Sequence, residues 1–503
     1  MDLTLTIPLL VGYFLLLFVI SWWTGRDADE QTFFTANRNS PWYLVAFGMI
    51  GATLSGVTFI SVPGAVGTGQ WGYLQFVMGN LLGYVIISFV LLPLYYRLNL
   101  TSIYGFLGQR FGEGAYKSGA ILFLISRLIG ASLRMYLVAL VIQIVIGNEL
   151  GIPFAVTVAV SIALIYLYTF RGGIKTVVWT DTLQTAFMLL GAGITVYVIS
   201  QRLGLGPGEL VETLQQSDYS QVFFWDWKEG NHFFKQLFSG MFISIVMVGL
   251  DQDMMQKNLT CRTLQDAQKN VLWFSAVFFL SNILFLGLGS LLYLYGEQSG
   301  VLQAFETVPP FLAECKLFIS NAEGTLKDCF TTTDGLFPAI AKDHLGICAG
   351  ISFILAVIAA AYSSADSALT ALTTSCCVDL LKFEQRTDQD RKRILRQRVH
   401  MGFALALFLV ILIFEALNDD SVVWAIFRAA GYTYGPLLGL FVMGMYTKLK
   451  IRDQWIPLVC VICPILTYVI QWVSPMVLGY TFGFEILILN GVLTCLGLLL
   501  IRE

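Results

Sequence analysis

Three residues in a hydroxyl-rich segment have the spacing of a cation site. In AAAYSSADSALTALTTS, residues 359 to 375, Ala360, Ser363 and Ser364 stand at positions i, i+3 and i+4. On a helix, one backbone carbonyl and two hydroxyls therefore share a face. Sodium is a hard cation that prefers several oxygen ligands to softer donors. The spacing predicts part of a sodium site; the alternative is that these hydroxyls only bond to their own helix or its neighbours.

A second segment would supply the missing oxygens. GATLSGVTFISVPG, residues 51 to 64, lies in an apolar stretch, yet its Gly and Thr residues lower helix propensity and Pro63 removes an amide donor. Small residues of this kind can serve close helix packing. Alternatively, the helix is broken within the membrane and its freed carbonyls bind an ion. The carbonyls of Gly51 and Leu54 would then complete the sodium site.

The elements that must hold these residues are membrane helices. The chain has 503 residues, a mean hydropathy of +0.73 and 13% charged residues, about half the roughly 25% expected of a soluble domain. Apolar runs of about 20 residues, enough to cross a bilayer, recur along it. Lipid cannot pair backbone polar groups, and the runs lack the alternation of a barrel. The sequence therefore predicts an all-α integral membrane protein with thirteen spans, at about 5–23, 40–67, 71–96, 116–147, 153–170, 176–201, 236–256, 270–295, 344–381, 399–417, 421–447, 454–473 and 479–501.

Lysine and arginine residues predict the orientation in a plasma membrane. Segment 382–398 is strongly basic, which marks it as cytoplasmic by the positive-inside rule. The other basic connections agree, including the one after the seventh span that contains Lys257. The N-terminus would then lie outside and the C-terminus inside. Residues 296–343, with seven acidic residues and three Lys, would lie outside, where a disulfide between Cys315 and Cys329 is left open.

Several function classes lack the residues that they need. There is no P-loop, no HExxH motif and no zinc-spaced cysteine pair in a soluble segment, so ATP-driven pumping and metalloenzyme chemistry have no visible machinery. Ser363 with Asp366 is the only tempting pair for an enzyme, and no His lies in the spans near it. A channel needs a polar path through several spans, whereas these hydroxyls cluster near one depth. Coupled transport is favoured, and a passive channel or facilitator is the alternative.

Further motifs extend the pattern along the chain: TLSGVTFISVPG, LTSIYGFLGQRFG, YTFRGGIKTVVWTDTLQ, DQDMMQKNLTCRT, SSADSAL and GPLLGLFVMGM. Across essentially its whole length the chain resembles the sodium:solute symporter family. The resemblance implies a leucine-transporter-type inverted repeat of five plus five helices, whose first helices, 40–67 and 236–256, are broken at mid-membrane. The predicted regions are 1–39 (extra helix and cytoplasmic loop), 40–202 (first repeat), 203–235 (extracellular connection), 236–447 (second repeat) and 448–503 (two C-terminal helices).

The resemblance also assigns ion-binding residues. The family's sodium site carries over as three carbonyls and two hydroxyls, those of Gly51, Leu54, Ala360, Ser363 and Ser364, which are also the residues selected by oxygen chemistry. The acid of the WTD segment, Asp181, would bind a second Na⁺ or guide the ion out. Asp366 lies close to the two serines, so it would add charge and allow a second cation.

The solute site is predicted around the first break. Members that carry sialic acid have a TLSxxT arrangement, which Thr53, Ser55 and Thr58 reproduce. Those members also hold the substrate carboxylate with an arginine of the fourth span. This chain has Arg127 and Arg134 there, and although neither aligns without a gap, Arg134 is the candidate.

Other polar residues within spans complete the candidate solute site. Tyr73 and Gln75 in the third span would form an aromatic and amide wall, or else Tyr73 belongs to an interfacial belt. Asp251 would receive a polar group of the solute, or pair with Arg127, Arg134 or Arg428. The prediction is thus a sodium-coupled symporter that imports a small polar organic solute by alternating access. A sialic acid or related organic acid is favoured over a sugar or vitamin, with Na⁺ as the cofactor, a monomer as the working unit and no nucleic-acid partner.

Overall fold

The computed structural model describes residues 3–25, 40–100, 102–148, 150–170, 173–302, 317–320, 326–330, 332–382, 388–417 and 422–503. Within these ranges the chain is helical apart from one short hairpin, β1 (Leu317–Ser320) and β2 (Leu326–Phe330), which confirms the predicted all-α fold. In chain order the helices are α1 (Leu3–Gly25), α2 (Trp42–Thr53), α3 (Gly56–Gly69), α4 (Tyr73–Arg97), α5 (Gly105–Arg110), α6 (Glu113–Ile142), α7 (Phe154–Thr169), α8 (Gly173–Arg202), α9 (Pro207–Gln216), α10 (Phe233–Ser244), α11 (Gln252–Asn258), α12 (Leu264–Gln298), α13 (Leu336–Asp343), α14 (Ile347–Ser375), α15 (Gln389–Leu417), α16 (Val422–Thr433), α17 (Gly435–Tyr446), α18 (Ile456–Leu478) and α19 (Ile486–Leu500).

The helices have the length and composition of a multi-pass membrane protein. Among the described residues, eight helices are individually long and apolar enough to cross a bilayer. The number rises to ten when each of two bent pairs, α2 with α3 and α10 with α11, is taken as one span. Three shorter apolar helices, α7, α17 and α19, lie at further predicted spans. The count of thirteen stays a prediction.

The first predicted break is present. α2 ends at Thr53 and α3 begins at Gly56, with a bend of 53° between them. Leu54 has φ −78° and ψ 72°, and Ser55 is extended, so neither residue continues the helix. The end of a helix leaves its last carbonyl groups without helical partners. The break therefore turns backbone oxygens of α2 into available ligands inside the protein, where these residues are buried.

The second predicted break is also present. α10 passes into a π-helical turn, Ile245–Gly249, and α11 begins at Gln252 after a bend of 69°. Asp251 caps α11, because its Oδ1 accepts hydrogen bonds from the amides of Asp253 at 3.0 Å and Met254 at 3.2 Å. An aspartate in this position satisfies amides that a helix start leaves free. The chain thus changes direction at Asp251, within the predicted broken helix 236–256.

Close helix approaches hold both breaks in the bundle. α8 lies against α2 and α14, and α14 also contacts α2. Gly51 permits the contact between α2 and α8, because a Cβ there would lie 2.2 Å from Thr185 Oγ1. Gly240 permits the contact between α10 and α4, because a Cβ there would lie 2.0 Å from the carbonyl oxygen of Phe76. Small residues therefore serve helix packing and the break together.

Two predicted connections contain regular structure. Residues 296–343, expected to be a loop, hold the antiparallel β1–β2 hairpin, in which Leu317 pairs with Phe330, and then α13. The basic segment before residue 399 is helical from Gln389, because Asp388 Oδ1 accepts a hydrogen bond from the Arg391 amide at 3.1 Å and favours an early start of α15. Cys315, one half of the possible disulfide, lies outside the described residues.

Candidate functional site

The sodium residues predicted from α14 meet the first break. Ser364 Oγ lies 3.4 Å from the carbonyl oxygen of Ala52 and 3.4 Å from that of Ala360, one turn earlier in α14. All three residues are buried, at 0 to 1% exposure. Ala52 stands between the predicted carbonyl ligands Gly51 and Leu54, so α14 touches α2 within the predicted segment. Neutral oxygens from two helices at this spacing suit a small hard cation.

Ser363 joins this contact to a buried ion pair. Its Oγ donates a hydrogen bond to Asp181 Oδ1 at 2.5 Å, and Asp181 Oδ2 lies 2.8 Å from Lys257 Nζ. The sequence suggests Lys257 as one of the charges of a cytoplasmic connection. Instead, it is 1% exposed and lies within α11, after the second break. The second broken helix therefore brings a positive charge next to the predicted ion residues.

Asp366 lies on another side of α14. Its Oδ2 accepts hydrogen bonds from Tyr168 Oη at 2.8 Å and from Thr180 Oγ1 at 3.4 Å, on α7 and α8. Its Oδ1 is buried and has no hydrogen-bond partner among the described residues. One turn further along α14, the Thr370 Oγ1 is also buried without a partner. Asp366 therefore keeps an available oxygen close to the serines.

A cavity of about 80 Å³ opens beside the first break. Its lining includes five of the predicted solute residues, Thr53, Ser55, Thr58, Tyr73 and Arg134. Asn80 and Tyr84 of α4 and Arg127 of α6 also line it, and the Thr53 Oγ1 and Asn80 Oδ1 atoms are buried without partners. Hydroxyl, amide, aromatic and guanidinium groups thus converge on one space, as a site for a polar organic molecule requires.

The two arginines of the cavity differ in their partners. Arg127 forms an ion pair with Asp253 and lies 3.9 Å from Asp251 Oδ2, so two carboxylates balance its charge. Arg134 makes no ion pair with any residue in the described ranges, and its Nη1 is buried without a hydrogen-bond partner. The cavity therefore has one positive charge that is not compensated by a direct ion pair.

Two predicted solute residues lie outside the cavity lining. Gln75 Nε2 donates to the carbonyls of Gly72 and Asn231, and its Oε1 accepts from the amide of Phe224, so its amide group ties α4 to the 203–235 connection. Asp251 caps α11 and its Oδ2 accepts a hydrogen bond from Tyr434 Oη at 2.6 Å. Of the partners that the sequence leaves open for Asp251, the ion-pair contact is made by Arg127. The geometry gives both side chains structural roles.

A comparison of the sequence with known protein families agrees with this geometry, in which two broken helices surround buried oxygens. A model of the sodium:solute symporter family matches residues 33–452. The chain belongs to the sodium:solute symporter family. Its family model and relatives describe transporters, in agreement with the predicted absence of enzymatic chemistry.

Relatives of this family member include two sialic acid transporters. It is 26% identical over 432 residues to the sodium/sialic acid symporter NanT of Aliivibrio fischeri, covering 84% of this chain and 79% of the relative. It is 23% identical over 450 residues to the sodium/sialic acid symporter SiaT of Proteus mirabilis, covering 87% and 84%. The human sodium/iodide cotransporter is 24% identical over 431 residues, covering 84% and 62%. By their names, the relatives of this chain transport different solutes.

Two solved structures share the fold of this symporter family member. A substrate-bound, outward-open Na⁺-coupled sialic acid symporter matches with a TM-score of 0.79 and 20% identity over 98% of this chain and 97% of the other. Mhp1, a nucleobase-cation-symport-1 family transporter in a closed conformation, matches with a TM-score of 0.58 and 14% identity over 93% and 94%. At these identities the likeness concerns the fold alone.

Sequence reasoning misses two side chains of this symporter's site. Lys257 stands one residue beyond the predicted end of the seventh span, so its charge is assigned to a connection. Asn80 is the one amide in an otherwise apolar turn of α4. This isolated polar residue is the sequence feature that could have indicated a position on the cavity wall. Lys257 shows that a polar residue near a span boundary can be buried in the interior when its helix is broken.

Proposed function

We propose that this chain is a sodium-coupled symporter for a small organic anion and that it works by alternating access. The observation that carries the proposal is Arg134, a buried guanidinium on the cavity wall that has no ion-pair partner among the described residues. An uncompensated buried charge is costly, so the cavity favours a ligand that brings negative charge. The family model supports Na⁺ as the coupling ion.

Na⁺ is a transported co-substrate in this proposal. The carbonyls at the end of α2, in the segment from Gly51 to Leu54, and the Ala360 carbonyl and Ser364 hydroxyl of α14 would hold it. An ion there would join the two helices and fix Thr53 and Ser55, which line the solute cavity. Sodium and solute would then raise each other's affinity by the same factor. With Ser363 as a fifth predicted ligand, the ion would also draw on the hydroxyl that now contacts Asp181.

A sialic acid or related organic acid suits the cavity best. The Arg134 guanidinium presents paired N–H groups that match a carboxylate. Thr53, Ser55 and Thr58 would bind hydroxyl or amide groups of the same molecule, and the Tyr73 ring would cover an apolar face. The names of NanT and SiaT as sialic acid symporters support this choice of solute.

The acid on α14 would assist ion exit. From Ser364 the helix continues through Asp366 and Thr370, whose Oδ1 and Oγ1 atoms are buried and have no hydrogen-bond partners. A departing Na⁺ would find oxygens on this route toward the end of α14, which the positive-inside rule assigns to the cytoplasm. Asp181 lies beside the start of the route, through its contact with Ser363.

The proposed architecture has thirteen spans, an outside N-terminus and an inside C-terminus in a plasma membrane, and a monomer as the working unit. The two bends support the inverted repeat, with residues 40–202 as the first unit and 236–447 as the second. The extra helix in 1–39, the connection in 203–235 and the two helices in 448–503 would complete the chain. This arrangement would place both breaks at the same depth in the bilayer.

Uptake by purified protein in liposomes tests the proposed function. With an inward Na⁺ gradient, radiolabelled sialic acid should accumulate above its external concentration, saturate, and leave again when a sodium ionophore is added. Equilibration without accumulation would instead indicate a passive facilitator. A thermal-shift screen of sialic acids, monocarboxylates, sugars and vitamins, with and without Na⁺, identifies the solute class. If only uncharged solutes stabilise the protein, the role of Arg134 is wrong.

A further inference from the structure

The Asp181–Lys257 pair occupies the position between the two broken helices. Asp181 lies on α8, Lys257 on α11 beyond the second break, and Ser363 on α14 beside the first. One oxygen of Asp181 contacts the Ser363 hydroxyl at 2.5 Å and the other lies 2.8 Å from the lysine ammonium. α2 closes another side, since a Cβ at Gly48 would lie 3.3 Å from Asp181 Cβ. Residues of four helices, α2, α8, α11 and α14, therefore meet around one carboxylate.

The Lys257 ammonium contacts a carboxylate that would also be a ligand for a metal cation. Lysine is rarely fully buried without a paired acid, and Lys257 and Asp181 are 1% and 0% exposed. A carboxylate oxygen and a serine hydroxyl are hard ligands suited to Na⁺. The lysine ammonium brings the same single positive charge to this carboxylate. Two cations at one buried carboxylate would repel each other strongly, so only one can stay.

We propose that the Lys257 ammonium takes the place of a second coupled Na⁺ at Asp181, so that one Na⁺ accompanies each solute. The inference rests on the proposed function, because it concerns the number of ions in a sodium-coupled cycle. Because the Lys257 ammonium is part of the chain, it is not released to the cytoplasm as a bound Na⁺ would be. It moves with α11, so the pair also connects the second broken helix to α8 and α14.

Equilibrium binding of radioactive ²²Na⁺ to the purified full-length chain, without solute, tests the inference. The wild type should bind one Na⁺ per chain. Lys257→Met removes the ammonium and leaves Asp181 with an uncompensated charge, so this variant should bind two. Lys257→Arg keeps a cation and should bind one. The double variant Asp181→Asn/Lys257→Met removes both charges and should again bind one.

The outcomes separate this inference from the proposed function. A wild type that binds no Na⁺ contradicts the proposed function itself. A wild type that binds two, or a Lys257→Met variant that still binds one, overturns the inference alone. If Lys257→Met does not fold, the double variant decides: loss of its Na⁺ site would show that Asp181 holds the ion in the wild type. A second readout is the melting temperature, whose rise with the logarithm of Na⁺ concentration should be about twice as steep in Lys257→Met as in the wild type.

Discussion

We expect solute recognition to depend on Arg134, because it is the arginine in the cavity without a paired carboxylate in the described structure. Arg134→Met removes the charge and the paired donors, so we expect sialic acid affinity in the presence of Na⁺ to fall about 100-fold, equivalent to about 2.7 kcal/mol. Arg134→Lys keeps the charge but loses the planar fork and should lose about tenfold. Isothermal titration calorimetry measures both.

Sodium binding provides the control for Arg134. Arg134→Met should still bind one ²²Na⁺ per chain, because the oxygens proposed to hold the ion come from α2 and α14, whereas Arg134 lies on α6. Wild-type affinity for sialic acid in this variant would contradict the assigned role.

Ser364 is the residue that connects α14 to the broken end of α2. Ser364→Ala removes one hydroxyl oxygen from the proposed sodium site, so the Na⁺ concentration for half-maximal uptake should rise about tenfold, equivalent to about 1.4 kcal/mol. Ser474→Ala is a matched control, since that buried serine lies on α18, outside both broken helices and α14, and donates a hydrogen bond to the carbonyl of Tyr480 beyond the end of α18. Unchanged sodium dependence in Ser364→Ala would remove the main support for this site.

The sequence predicts some residues of the site and not others, for a physical reason. Oxygen chemistry and helix spacing are local, so the sequence can select Ala360 and Ser364 as candidates, whereas the observed carbonyl contact with α2 falls at Ala52, one residue from the predicted Gly51. Contacts between distant helices are not local. A polar side chain in a span looks the same whether it faces a solute or ties down backbone, which explains the cavity role expected of Gln75. The burial of Lys257 depends on a bend that sequence locates only to within a few residues.

At the scale of elements, the contact between α2 and α8 sets the position of the first break. Gly51→Ala places a Cβ against Thr185 Oγ1, which should push the helices apart and destabilise the protein by about 1–3 kcal/mol. Sodium affinity should fall with it, because the same residues of α2 supply the carbonyls. The melting temperature and ²²Na⁺ binding report the two effects.

A second substitution tests whether the clash is the cause. Thr185→Ala removes the hydroxyl that Gly51→Ala meets, so the double variant should recover much of the lost stability. Gly193→Ala, on the same helix α8, is the control, because a Cβ there meets no atom within 4 Å. Equal losses in Gly51→Ala and Gly193→Ala would indicate an effect of glycine replacement in general.

Elements with a strong local signal follow the sequence closely. Both breaks occur where helix-weakening residues cluster, and Asp251 restarts the second helix as an N-cap. The β1–β2 hairpin is not predicted, because two strands of four and five residues carry little pattern of their own. The early start of α15 is missed because charge marks a segment as aqueous and does not exclude a helix. Hydropathy thus locates apolar segments better than it locates helix ends.

At the scale of the whole molecule, the two broken helices use charge differently. The first contributes neutral backbone oxygens to the α14 serine, while the second contributes Lys257 to Asp181 and Asp253 to Arg127. In the proposed cycle the first break would gain and lose a cation, whereas the second carries ion pairs made by the chain's own side chains. Movement of the second helix against α8 and α14 would have to open a buried ion pair, which is costly unless water or another ion enters. This cost would link the conformational change to ion movement.

One Na⁺ carried with one monovalent anion moves no net charge, so membrane potential should not drive the proposed transport. Each charge that crosses 100 mV gains or loses about 2.3 kcal/mol, and here the two contributions cancel. A tenfold Na⁺ gradient alone should then support about tenfold accumulation of sialic acid, because each tenfold ratio corresponds to about 1.4 kcal/mol. Liposomes clamped with potassium and valinomycin, with the potential checked by a voltage-sensitive dye, measure this. Accumulation that grows as the interior becomes negative would indicate a second cation in the cycle and would contradict the role given to Lys257.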